Sequence, residues 1–155
     1  MENRICSIEI EILKESELSE RVKKVIDEAK KATENSYAPY SKFQVGAAAL
    51  LDNGLILKGN NQENIAYPSG LCAERVTVFA ANANYPNNAL QILAIAAQTG
   101  GKFTEKSITP CGACRQVLCE TEQRQKAPME IYLYGTEEII HIKSAADLLP
   151  LAFEF

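Results

Sequence analysis

The sequence predicts an α/β domain in which helices are layered on a mixed β-sheet. Segments with apolar residues at helical spacing alternate along the chain with short apolar runs of the kind that form buried strands. The last two strand patterns are separated by little more than Gly135-Thr136, which permits only an antiparallel pair, because a parallel crossover needs about a dozen residues. We expect residues 1–155 to form one domain, with residues 1–16 as an N-terminal extension.

Each element follows from its local pattern. Alternating Ile and Glu over residues 8–12 suit an edge strand, and the apolar spacing of residues 16–33 predicts the first helix. Two strands over residues 43–51 and 55–59 flank the hairpin turn Asp52-Asn53-Gly54. The later elements are predicted in this order: a loop over residues 60–70, a helix over 72–82, a strand over 93–97, a loop over 100–109, a helix over 110–122, strands over 129–134 and 138–142, and a short helix over 144–149.

The composition argues against a polynucleotide partner and against a membrane. The net charge is −4, whereas binding to nucleic acid depends largely on neutralising phosphates with basic side chains. No apolar run reaches membrane-spanning length, and the N-terminus lacks the apolar core of a signal peptide. The five cysteines are an odd number, so we expect a reducing, cytoplasmic setting in which thiols are available to bind metal.

Two short cysteine clusters predict a catalytic zinc site. Cys111 and Cys114 are spaced as C-x-x-C, and Cys72 comes from a separate segment. Both clusters fall where helices are predicted to begin, and a helix N-terminus stabilises the thiolate form that a metal requires. Three protein ligands leave a fourth tetrahedral position for water, which is typical of catalytic rather than structural zinc.

Charged residues beside these cysteines suit the same chemistry. Glu74 is close enough to Cys72 to handle the protons of a metal-activated water without being a ligand. Arg75 directly follows Glu74, and Arg115 directly follows Cys114. Each arginine is predicted to donate a hydrogen bond to a cysteine sulfur and so offset its negative charge. The alternative is a structural zinc holding two helices together, but neither Cys6 nor Cys119 is well placed to be a fourth ligand.

Several motifs in the same order resemble the small homotetrameric, zinc-dependent cytidine deaminases. The resemblance covers most of residues 20–153, and the family differs mainly in having an aliphatic residue at the position of Gln62. The matching segments are Tyr37-Ala38-Pro39-Tyr40-Ser41-Lys42-Phe43-Gln44-Val45-Gly46-Ala47-Ala48, Asn61-Gln62-Glu63-Asn64, Tyr67-Pro68, Cys72-Ala73-Glu74-Arg75, Pro110-Cys111-Gly112-Ala113-Cys114-Arg115-Gln116-Val117 and Leu148-Leu149-Pro150-Leu151-Ala152-Phe153.

The resemblance implies a three-layer α/β/α fold with a mixed five-stranded sheet, one Zn²⁺ per chain and a homotetramer with shared active sites. It implies hydrolytic deamination of free cytidine and deoxycytidine to uridine and deoxyuridine, as in pyrimidine salvage. The implied site residues are Cys72, Cys111 and Cys114 as zinc ligands, Glu74 as the proton shuttle, Asn61 and Glu63 at the ribose 3′-hydroxyl, Phe43 and the backbone near Ala73 at the base, and Phe153 in a neighbour's site.

Other functions remain open from the residues alone. A related aminopyrimidine nucleoside is an alternative substrate, and a non-catalytic zinc-binding interaction module is an alternative of a different class. Without the resemblance, Asn61 and Glu63 would be read as a solvated turn, and Phe43 as a core residue. Glu74 favours the enzyme, because a structural zinc has no use for a carboxylate beside an open metal position.

Overall fold

The computed structural model describes residues 1–153, so the last two residues of the predicted domain, including the apolar Phe155, lie outside the described range. Within residues 1–153 the chain forms one sheet of seven strands and three α-helices. The strands are β1 (Glu11–Leu13), β2 (Phe43–Leu51), β3 (Ile56–Asn60), β4 (Leu90–Thr99), β5 (Lys102–Phe103), β6 (Glu130–Tyr134) and β7 (Ile139–Ile142), and the helices are α1 (Glu20–Ala32), α2 (Ala73–Asn84) and α3 (Gly112–Gln125).

The sheet is mixed, as the sequence predicts. Its main path runs β1-β7-β6-β4-β2-β3, and β5 pairs with β4 outside that path. The β4–β6 pair is parallel. Parallel neighbours need a long crossover connection, and here that connection contains α3. The other pairs are antiparallel, and the predicted antiparallel pairing of β6 with β7 is confirmed.

Two apolar cores on opposite faces of the sheet make the fold three-layered. Successive residues of β2 point to opposite faces, so that Ala47 and Ala49 join one core while Ala48 and Leu50 join the other. The first core also contains Ala73, Val78 and Ala81 of α2 and Leu118 of α3, whereas the second contains Leu18, Val22, Val25, Ile26 and Ala29 from α1 and the turn before it. The predicted α/β/α layering is therefore confirmed.

Two glycines allow helices to lie directly on the strands. A Cβ at Gly46 would lie 2.1 Å from the carbonyl oxygen of Ala29, and a Cβ at Gly59 would lie 2.7 Å from the Thr77 hydroxyl. Real side-chain carbons do not approach other atoms so closely, so each position favours glycine. The contact at Gly59 seats α2 on β3 and so fixes one side of the functional site.

The predicted count of five strands is wrong, because two short strands extend the sheet to seven. The two-residue strand β5 is too short to leave a pattern, and it forms because Gly100 and Gly101 adopt positive φ values of 57° and 76° and turn the chain back on β4. The edge strand expected over residues 8–12 forms instead at Glu11–Leu13.

Polar contacts explain where the N-terminal extension joins the sheet. Glu11 of β1 accepts a hydrogen bond from the His141 ring over 2.7 Å and pairs with Lys143 over 3.1 Å. The other ring nitrogen of His141 lies 2.9 Å from Glu130, and the ring stacks on Tyr132. His141 is therefore a structural residue of this sheet edge. Among the described residues no helix is both long and apolar enough to cross a membrane.

Candidate metal centre and active site

Three cysteine sulfurs lie together at the N-termini of α2 and α3. Cys72 immediately precedes α2 and Cys111 immediately precedes α3, while Cys114 is buried in the first turn of α3. The Sγ atoms of Cys72 and Cys111 are 3.9 Å apart, those of Cys111 and Cys114 are 3.6 Å apart, and all three lie within 4.8 Å of one another. The fold thus brings two distant segments to one point.

The spacing of these sulfurs fits one zinc ion. Tetrahedral zinc with Zn–S bonds of about 2.3 Å separates its sulfur ligands by about 3.8 Å. The separations of 3.9 Å and 3.6 Å bracket that value and the third is at most 4.8 Å, so Cys72, Cys111 and Cys114 are spaced to hold one ion. Within residues 1–153 no fourth cysteine, histidine or carboxylate joins the group, which leaves one coordination position open.

The pKa values of the clustered thiols also favour binding of a cation. Hydrogen bonding from Cys114, assisted by Arg75, lowers the pKa of Cys72 to about 5. Hydrogen bonding to Cys72, together with burial and the charge of Glu74, raises the pKa of Cys114. The Cys72 thiolate therefore opposes ionisation of Cys114, and a divalent cation at this point would relieve that repulsion.

The two arginines beside the cluster have different contacts. Arg75 donates from Nη2 to the Cys72 Sγ over 3.9 Å, while its buried Nε has no partner among residues 1–153. Arg115 donates to the carbonyl oxygens of Pro110 over 2.8 Å and Leu148 over 3.2 Å. This differs from the predicted contact between Arg115 and a sulfur. Its guanidinium instead ties the segment before Cys111 to the C-terminal part of the chain.

Glu74 is a buried carboxyl group in the first turn of α2. Only 4% of the residue is exposed. Burial raises the pKa of Glu74, and the charge of Cys72 adds to the increase, although the residue's own backbone N–H and the Cys114 thiol act in the opposite direction. A carboxyl group in such surroundings holds a proton at higher pH than usual, which suits an acid that alternates with its conjugate base.

A cavity of about 610 Å³ opens beside Cys72 of the sulfur cluster. Its size is typical of small-molecule sites. Four residues predicted from the sequence line it, whereas Phe43 and Ala73 belong to the adjoining apolar core, in which Ala73 is fully buried and Phe43 is half-buried. The lining residues are Tyr40, Ser41, Asn61, Gln62, Glu63, Asn64, Tyr67, Gly70, Leu71, Cys72 and Arg75.

Asn61 and Glu63 organise the wall of this cavity. The Asn61 carboxamide accepts from the Val45 N–H over 2.8 Å and donates to the Phe43 carbonyl over 2.9 Å. Glu63 accepts from the backbone N–H of Tyr40 over 2.8 Å and of Ser41 over 3.3 Å. Hydrogen bonding from Ser41, with the Tyr40 N–H, lowers the pKa of Glu63. The carboxylate therefore stays ionised and able to accept further hydrogen bonds.

Phe153 lies on α3 rather than in the cavity of its own chain. Its side chain is 68% exposed, while its backbone is held by the carboxamide of Gln116. An aromatic ring exposed to this extent offers apolar area that a second surface could bury.

Comparison with known proteins agrees with this geometry. Residues 19–128 match the family described as the cytidine and deoxycytidylate deaminase zinc-binding region. The chain is 43% identical to a cytidine deaminase of Sporosarcina psychrophila over 85% of this chain and 90% of that protein. It is similar to the crystal structure of a cytidine deaminase from Burkholderia pseudomallei, with a TM-score of 0.69 and 38% identity over 88% of this chain and all of the other. The corresponding Mycobacterium tuberculosis structure gives a TM-score of 0.67 at 34% identity.

The chain belongs to the cytidine and deoxycytidylate deaminase family. The matched segment contains Cys72, Glu74, Cys111 and Cys114, so the family's zinc-binding region includes the whole sulfur cluster found here. Phe153 lies beyond this segment.

Sequence reasoning did not single out several residues of the cavity wall in this deaminase. Tyr40 and Tyr67 line the cavity and contact each other edge to face, with ring centroids 5.9 Å apart. Leu71, one residue before the first metal ligand, adds apolar surface. An available signal was the presence of aromatic residues in otherwise polar loops, since exposed aromatic side chains commonly mark binding surfaces.

Proposed function

We propose that this protein deaminates free cytidine and deoxycytidine hydrolytically, giving uridine or deoxyuridine and ammonia. The observation that carries the proposal is Glu74, a buried carboxyl group that interacts with Cys72 and Cys114 of the sulfur cluster, while Cys72 lines a cavity of small-molecule size. The similar proteins that are named cytidine deaminases support the same substrate.

Cys72, Cys111 and Cys114 would hold one Zn²⁺ per chain. When bound, zinc supplies a Lewis acid that lowers the pKa of an associated water to about 7. Glu74 takes a proton from the attacking water as its oxygen bonds to C4 of the base, and passes that proton to the ring nitrogen N3. Glu74 then delivers the second proton of that water to the departing amine, which leaves as ammonia when the C4–N bond breaks.

Charges around the cavity support a nucleoside rather than a nucleotide. Among the described lining residues, the charged side chains are Glu63, Arg75 and the Cys72 thiolate. Nη2 of Arg75 is directed to the Cys72 sulfur, and the Glu63 carboxylate would repel a phosphate group. A sugar hydroxyl, in contrast, can donate to Glu63 and form a strong, charge-assisted hydrogen bond. We assign Asn61 and Glu63 to the 3′-hydroxyl, and Phe43 and the backbone near Ala73 to the base.

A homotetramer with shared active sites is part of this proposal. Apolar side chains around the cavity and at the C-terminus are unusually exposed: Ile65 by 82%, Tyr67 by 75%, Leu151 by 94% and Phe153 by 68%. Burial of these side chains against neighbouring subunits would remove apolar surface from water. Phe153 would then cover the base in a neighbour's site. We also propose a reducing, cytoplasmic setting, in which the three clustered thiols stay available to bind metal.

The direct test is incubation of the purified protein with cytidine, deoxycytidine, deoxycytidylate and cytosine. Conversion is followed by ultraviolet absorbance and by release of ammonia. We expect turnover of the two nucleosides, much slower turnover of the nucleotide and the free base, and loss of activity with a zinc chelator that is reversed by added zinc. A protein that binds zinc but converts none of the four compounds would be a zinc-binding module instead.

A further inference from the structure

Gln116 pairs with the backbone of Phe153 through both ends of its carboxamide. Its Nε2 donates to the Phe153 carbonyl oxygen over 3.0 Å, and its Oε1 accepts from the Phe153 N–H over 3.0 Å. One side chain thus satisfies both backbone groups of the same residue, much as a neighbouring strand would. This fixes the position and the rotation of the backbone at Phe153, which a single hydrogen bond would not do.

The pairing is the last of a series of contacts between α3 and the C-terminal segment. Earlier in that segment, the Cys119 thiol donates to the Ala145 carbonyl over 3.3 Å, and Glu122 accepts from the Ala145 N–H over 2.7 Å. Arg115 holds the Leu148 carbonyl. The same helix begins at two of the three clustered cysteines, Cys111 and Cys114, and Gln116 is two residues beyond Cys114. The first turns of α3 therefore position both part of the sulfur cluster and the backbone of Phe153.

We infer that Gln116 is a positioning residue that holds Phe153 for substrate binding. This inference rests on the proposed function, in which the exposed ring of Phe153 covers the base in a neighbouring subunit's site. Phe153 lies in irregular chain beyond the last strand and helix, and such segments are usually more mobile than regular elements. By restraining the backbone before subunits meet, Gln116 lowers the entropy that the tail loses when the ring stacks on substrate.

The inference predicts how variants of Gln116 affect kinetics. Gln116→Met keeps the length of the side chain and removes both hydrogen bonds, each worth roughly a 2–10-fold change in equilibrium. We expect KM for cytidine to rise roughly 5–20-fold with kcat nearly unchanged. Gln116→Glu keeps an acceptor for the Phe153 N–H but places an anionic oxygen against the Phe153 carbonyl oxygen, so its KM should rise at least as much. Glu120→Gln, an exposed position on the next turn of α3, is the matched control and should behave as the wild type.

Two further measurements separate positioning from general stability. Amide hydrogen exchange at Phe153 should be faster in Gln116→Met than in the wild type, with zinc content and assembly unchanged. In the Phe153→Ala background, Gln116→Met should have no additional effect on KM, because the two residues act through one contact. If Gln116→Met does not assemble, the same measurements of KM and amide exchange on Gln116→Glu test the positioning role.

Unchanged KM and unchanged exchange in the Gln116 variants of an active wild-type enzyme would overturn the role of Gln116 and leave the proposed function intact. Additive effects of Gln116→Met and Phe153→Ala would also overturn it. A wild-type protein with no cytidine turnover would overturn the proposed function itself, and with it the purpose assigned to this contact.

Discussion

Asn61 donates a hydrogen bond from its Nδ2 to the main-chain carbonyl of Phe43 over 2.9 Å. This contact joins the residue assigned to the ribose directly to the residue assigned to the base. The Oδ1 of the same carboxamide accepts from Val45 and from the Ser36 hydroxyl, so one side chain holds the start of β2 against the loop that follows β3. A change at Asn61 is therefore expected to disturb both parts of the substrate site.

Glu63 offers a cleaner test of sugar recognition. Glu63→Gln keeps a side-chain oxygen for the backbone N–H groups of Tyr40 and Ser41 but removes the charge that a sugar hydroxyl would meet. We expect a loss of about 1–3 kcal/mol in transition-state binding of cytidine, measured as kcat/KM, and a smaller loss for 3′-deoxycytidine. Asn61→Ala should weaken both substrates and lower the melting temperature, because Asn61 also holds Phe43 and Val45, with the larger loss for cytidine. Equal losses for both substrates in Glu63→Gln would contradict the sugar assignment.

The sequence predicted the parts of this molecule that depend on local pattern and chemistry. Helical spacing placed α1, turn residues placed the β2–β3 hairpin, and cysteine spacing placed the sulfur cluster at two helix starts. Contacts between distant residues were not predictable in the same way. The Arg115 guanidinium reaches Leu148, and Glu11 reaches His141, because the fold brings these residues together. Strand β5 forms because Gly100 and Gly101 adopt positive φ values, and the apolar periodicity of the sequence does not predict such a turn.

Metal content should depend on the three clustered cysteines. Protein purified without added metal should contain one zinc per chain by elemental analysis, because three thiolates at these separations form a high-affinity site. The Cys111→Ala and Cys114→Ala double variant should lose the zinc and be less stable, since metal binding is coupled to folding. Cys6→Ser, at an exposed cysteine outside the cluster, is the matched control. Zinc retained in the double variant would show that the ion is held elsewhere.

Glu74 should be essential for turnover and dispensable for zinc binding. Glu74→Gln keeps the size of the side chain but cannot carry protons. Turnover should fall by more than the roughly 10²–10⁴-fold typical of one proton transfer, because Glu74 serves several steps. Zinc content should stay near the wild-type value, since the carboxyl group is not a member of the sulfur cluster. Near-normal activity in this variant would refute the mechanism.

Glu28 should make part of the stability dependent on pH. Hydrogen bonds from Lys31 of α1 and Lys58 of β3 lower the pKa of Glu28 to about 2. Because the folded-state pKa lies below the unfolded value of about 4.3, the contribution is complete above that pH and is lost as the pH falls toward 2.

Glu28→Gln should therefore lower the free energy of unfolding by about 1 kcal/mol at pH 6, a value reduced for solvent screening, and by progressively less in acid. Urea unfolding at several pH values measures this difference between variant and wild type. Glu20→Gln, at an exposed carboxylate paired with Lys23 on the same helix, is the control and should show little difference. A constant difference for Glu28→Gln from pH 6 to pH 2 would contradict the assignment.

Shared active sites predict that two inactive or impaired variants restore activity when they assemble together. Phe153→Ala removes the ring that would cover the base but retains Glu74, whereas Glu74→Gln has the opposite defect. Co-expression of the two chains allows mixed tetramers to form, and some of their sites then combine an intact Glu74 from one subunit with an intact Phe153 from another. The activity of the purified mixture should exceed the average of the two parent variants, with a KM for cytidine that includes a wild-type component. Activity equal to that average, or full activity from a monomer identified by light scattering, would show that each chain builds its site alone and that the exposure of Phe153 has another cause.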